Sequence, residues 1–158
     1  MIYICDIWSI DPEIEFDEKW AIARHMKLQS NNPGIVQHEE LSPSEPLFAR
    51  AKRGEIDFRK EYVPRFIEEI AEHQESTKAL DYLVQADKDG KNIALICSCD
   101  NENECHRSII GGILQGMGAK VSGLTRDYSF YHRMLFETQG RLEQEYLYWR
   151  ETALKEMP

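Results

Sequence analysis

Three of the four cysteines, a histidine and an arginine fall in one short run: Cys97, Cys99, Cys105, His106 and Arg107. A thiol at the opening of a helix meets unpaired backbone amides and the positive end of the helix dipole, which favour the thiolate. A neighbouring imidazole exchanges protons near neutral pH, and a guanidinium is a forked donor for phosphate or carboxylate. In this pattern Cys105 is a candidate nucleophile or redox thiol, His106 a proton carrier and Arg107 an anion clamp. Asp6, Cys97, Cys99 and Ser108 are the candidate ligand-binding residues around them.

Two plainer accounts compete. Cys97 continues an apolar run, as a small core residue would. The three cysteines and His106 also make four soft or borderline ligands, the number a closed zinc site needs. Their spacing argues against zinc, because adjacent Cys105 and His106 would leave a helix start in different directions. No metal or cofactor is therefore expected. The other histidines, His25, His38, His73 and His132, have no partner at ligand spacing. Arg126, Asp127, His132 and Arg133 lie where a following loop could reach the same sheet edge.

The elements around the run form a βαβ unit. Four consecutive apolar residues before Cys97, within Asn92 to Cys97, read as a strand covered on both faces. Cys105 to Met117 has helical apolar spacing, and Ala119 to Leu124 reads as the next strand. Upstream, Ile2 to Trp8 is a strand candidate. Glu15 to Ser30 reads as a helix on the spacing of Phe16, Trp20 and Ala23, stopped by Asn31 to Gly34. Ile35 to Leu41 is a short edge strand. Ser42, Pro43 and Ser44 start a helix through about Lys52. Asp57 caps the next, which Pro64 should kink or divide, and Ser76 and Thr77 start another with Leu80, Leu83 and Val84 inward. Residues 127–155 are expected to form one or two helices whose aromatics pack on the sheet or on a partner. The fold class is α/β: a small three-layer sandwich, its mostly parallel sheet flanked by helices, in one domain over 1–158 with 127–158 as a helical extension.

With 158 residues and 42% hydrophobic composition the chain can bury one core without staples. Nineteen Lys and Arg against 28 Asp and Glu give a net charge of -9, which repels nucleic acid. The expected partner is a small anionic molecule, nucleotide-like compounds included, bound at a locally positive helix start. The aromatic C-terminal helices offer a homodimer contact. No basic leader or membrane span is read at the N-terminal end, and the clustered cysteines fit reduced thiols, so a cytoplasmic setting is expected.

The run Leu95-Ile96-Cys97-Ser98-Cys99-Asp100, a polar turn, and Cys105-His106-Arg107-Ser108 resembles the signature of domain of unknown function family 488. Residues 41–48 and 58–62 resemble the YeaO-like branch of that family, in which a Pro-Ser helix start precedes a Phe-Arg-x-x-Tyr helix. Asp6 falls where the family has an Asp-Arg or Asp-x-Arg pattern, but Ile7 and Trp8 follow it here. The resemblance implies an α/β fold and a cytoplasmic setting, and it names no reaction. The leading expectation is an enzyme acting on a small anionic molecule. The alternative is a non-catalytic ligand-binding or protein-interaction module, phage/host or regulatory.

Overall fold

The alternation of side chains between two apolar clusters along the run 93–97 shows how the sheet is held. In β4 (Ile93–Cys97) every residue is buried, with Ile93, Leu95 and Cys97 in the larger apolar cluster and Ala94 and Ile96 in the smaller. This is the two-sided burial expected of a central parallel strand. The computed structural model describes residues 1–26 and 33–157. Beside β4 run β1 (Ile2–Asp6) and β2 (Glu18–Ala21); β3 (Ile35–Gln37) and β5 (Val121–Ser122) form the edges. The order is β3-β2-β4-β1-β5, and every pairing is parallel.

The buried apolar side chains of α2 (Val63–Glu72), α3 (Gln74–Lys88), α4 (His106–Gly116) and α5 (Phe130–Glu156) all belong to the larger cluster, as does Leu47 of α1 (Glu45–Lys52). The opposite face is covered by Ile7, Ile10, Phe16 and Met26, so among the described residues its third layer is irregular chain. Each fully buried Ile or Leu of the larger face contributes about 1.5–3 kcal/mol.

The structure corrects one element and refines others. Within 15–30 the chain forms β2 and not a helix: Trp20 lies in the sheet opposite Leu95 and stacks on His38 at 3.6 Å. Residues 27–30 of that expected helix, with Asn31 and Asn32, lie outside the described residues. Ile35 to Leu41 splits into β3 and a 3-10 turn, Glu39–Leu41. Ser44 caps α1, accepting from the Leu47 amide, while Ser42 donates to the Ile22 carbonyl. Asp57 caps a π-helical turn, Phe58–Tyr62, and α2 begins at Val63 with Pro64 in its first turn, where the missing N–H costs nothing. Residues 130–156 are one helix. Tyr128, just before it, and Tyr131, in its first turn, are buried, whereas Phe130, Phe136, Tyr146, Tyr148 and Trp149 are exposed. No described helix is long and apolar enough to cross a membrane.

Candidate functional site

The strand β4 delivers Cys97 to the carboxyl end of the sheet, directly opposite Asp6 of β1. The chain then turns through Cys99 and a 3-10 turn, Glu102–Glu104, and enters α4 with Cys105 as its N-cap. Cys105 has extended backbone, φ -126° and ψ 141°. That is why two adjacent residues can reach one point, which a helical backbone would prevent. Sγ of Cys97 lies 3.2 Å from Sγ of Cys99 and 3.4 Å from Sγ of Cys105. Nδ1 of His106 is 3.9 Å from the Cys105 sulfur. The four donor atoms all fall within 4.8 Å of one another, so the directional argument against a shared metal does not hold in this fold.

The imidazole is fixed from behind. Nε2 of His106 lies 2.6 Å from the Ile22 carbonyl oxygen. A carbonyl only accepts, so Nε2 carries the hydrogen, which leaves the Nδ1 side, toward the sulfurs, free to ligate in the neutral ring. Phe66 meets the ring edge-on at 5.7 Å. The three thiols share too little space for three charges. Hydrogen bonds from the Cys105 and Cys99 thiols pull the Cys97 thiol down. Burial, then the hydrogen bond to Cys97, pushes Cys105 well up. For Cys99 the bond from Cys105 pulls downward, but the bond to Cys97, burial and the Cys97 charge outweigh it and push the thiol up. Without a cation the cluster accommodates one thiolate.

These groups floor a cavity of about 520 Å3 that opens between α1, the turn before α2 and the end of β2. Arg24, His25 and Lys52 stand on its walls with Phe58 and Tyr62, and Asp100 and Glu104 also reach it. Arg24 is held by the Pro43 carbonyl at 2.6 Å, and His25 by Glu45 at 2.8 Å. Lys52 lies over the Phe48 ring, 5.9 Å from its centre. Phe58, Tyr62 and Asp100 stand in the runs that carry the family resemblance and His25 has no partner at ligand spacing, whereas Arg24 and Lys52 do not stand out in the sequence. The signal for Arg24 and His25 would have been their place at a strand's carboxyl end, which the helical reading of 15–30 concealed.

Cys97, Cys99, Cys105 and His106 are thus brought together, and the other expected site residues are not in the cavity lining. Asp6 turns back to accept the Trp8 amide at 2.9 Å. Ser108 is fully buried and donates to the Cys105 carbonyl at 2.8 Å, which secures the start of α4. Arg107 is 9% exposed and has no hydrogen-bond or ion-pair partner among the described residues. Its charge favours the ionised forms of Cys99, Glu102 and Cys5, and α4 itself starts after the carboxyl end of β4. Burial pushes the Cys5 thiol up to about 11 even so.

A family model described as the active DUF488-N3 subclade matches residues 11–118. The chain belongs to the DUF488 family. The match spans β2 to α4 and takes in the whole Cys97–Arg107 run. No curated protein and no solved structure matches.

Proposed function

We propose that this DUF488 chain is an enzyme acting on a small anionic molecule, nucleotide-like compounds among the candidates, through Cys99, Cys105, His106 and Arg107. The observation that carries the reading is Arg107 at the start of α4, a residue 9% exposed whose guanidinium has no hydrogen-bond or ion-pair partner among the described residues and still meets solvent, since none of its nitrogens is a fully buried unpaired atom. A largely buried charge without a direct partner is costly, so a guanidinium kept this way and still open to solvent favours a counter-charge from outside. The forked donor suits phosphate or carboxylate, and the α4 amides beside it add to the same field. The position beyond the carboxyl ends of parallel strands is where open α/β sheets bind their ligands.

Chemistry then falls to the sulfur cluster, whose Cys99 feels the Arg107 charge. Cys99 is part-exposed while Cys105 is 1% exposed, so Cys99 is the sulfur a ligand meets first, and Cys105 supports it. The subclade description "active" supports catalysis. The test compares alkylation of the cluster by iodoacetate and by iodoacetamide, each rate taken relative to a free small thiol. The reading expects the anionic reagent to be favoured and the preference to vanish in Arg107→Gln. Equal relative rates in both proteins would remove it. The deep burial of Cys97 and Cys105 favours one second reading, a ligand-binding module on the same anion site. It expects bound phosphate with no thiol labelling.

A further inference from the structure

The geometry points to a zinc ion held by the sulfurs of Cys97, Cys99 and Cys105 and by Nδ1 of His106. This deepens the reading above by naming the cofactor of the same centre, and rests on that reading only for the cavity being a reaction site. Tetrahedral zinc has Zn–S near 2.3 Å and Zn–N near 2.0–2.1 Å, which sets sulfur–sulfur edges of roughly 3.8 Å and sulfur–nitrogen edges of roughly 3.5 Å. The observed separations of 3.2, 3.4 and 3.9 Å lie around those edges, with the whole set inside 4.8 Å.

The donor set selects the metal. Three thiolates and an imidazole suit zinc, whereas magnesium and calcium require oxygen ligands and an iron–sulfur cluster usually takes four cysteines. A second shell is also in place. The Ile22 carbonyl accepts from His106 Nε2 at 2.6 Å and from Ser42 Oγ at 2.7 Å, the kind of outer contact that fixes a ligating ring's tautomer. Cys97 and Cys105 are buried inner ligands. Cys99 faces the cavity, so the ion would hold an ionised sulfur toward the ligand at neutral pH.

Elemental analysis of the full chain, purified without chelator, is expected to give about one zinc per chain. After chelation, titration with cobalt(II) should produce sulfur-to-cobalt charge transfer and strong tetrahedral d–d bands. Cys105→Ser and Cys97→Ser should lower zinc content to below about a tenth per chain. Because those variants can unfold, the cobalt spectrum of the unmutated chain is the deciding measurement. Weak octahedral bands with no charge transfer, and no zinc in the purified chain, overturn the inference. The two readings separate cleanly: zinc content without any iodoacetate preference removes the anion-processing function alone, while the preference without zinc or cobalt binding removes the metal alone.

Discussion

The hydroxyl of Tyr128 lies 2.9 Å from a Glu102 carboxylate oxygen and 2.6 Å from Oδ1 of Asn103. The Thr125 amide and hydroxyl reach the same carboxylate. The segment after β5 therefore fastens the turn that carries the cysteines, and the fastening is electrostatic. Burial alone would raise the Glu102 carboxyl, but its bonds from Thr125 and Tyr128, aided by the Arg107 charge, together hold it below the ordinary 4.5. A group depressed in the folded state stabilises above its unfolded value and loses that contribution as pH falls through its folded one. The stability difference between the unmutated chain and Glu102→Gln should be full at neutral pH and shrink below about pH 4.5. Urea midpoints across that range measure it, and a constant difference would contradict the assignment.

Gly112 makes the packing of α4 on the chain before α5 possible. A Cβ there would stand 2.2 Å from the Tyr128 carbonyl oxygen and 2.7 Å from its carbonyl carbon. Alanine gains up to about 1 kcal/mol of helix propensity over glycine. The backbone clash outweighs it, since overpacking costs about 1–3 kcal/mol and backbone cannot rotate away as a side chain can. Gly112→Ala should lower the melting temperature and loosen the Tyr128–Glu102 latch. An unchanged or higher melting temperature would show that the two segments can part without cost.

Arg107 carries a prediction of the opposite sign. A largely buried guanidinium with no direct partner among the described residues carries a desolvation cost that its attraction to Glu102 only partly offsets, so Arg107→Met should raise the stability of the ligand-free chain by roughly 1–3 kcal/mol. For a chain of this size each kcal/mol is worth roughly 2–4 °C in melting temperature. Calorimetry in a buffer without phosphate or other polyanions is the appropriate measurement. A fall in melting temperature would mean that the guanidinium is a structural group and not one reserved for a ligand.

The sequence exposed the centre of this site better than its walls. Four apolar residues running into Cys97, a polar turn and the helical spacing after Cys105 specify β4 and α4 locally, and the structure has both. The parallel sheet followed from the same βαβ pattern. The strand β2 did not show itself, because it has four residues and Trp20 stands at helical spacing from Phe16 and Ala23. Missing that strand end hid Arg24 and His25. Lys52, Phe58 and Tyr62 reach the cavity only through the packing of α1 and the turn before α2, which no local pattern reports. The convergence of Cys105 and His106 depends on an extended N-cap backbone that spacing alone does not give. Spacing alone likewise does not tell that Arg107, next to His106, stays out of the cavity lining.

The account turns on an external anion completing the environment of Arg107. Isothermal titration of the full chain and of Arg107→Gln with inorganic phosphate, at low and then raised salt, tests this most directly. The account predicts saturable binding near one site per chain, weakened at least about tenfold in the variant, the loss expected for a charge-assisted contact of about 1.5–3 kcal/mol. Equal binding by both proteins, or none by either at millimolar phosphate, would contradict it.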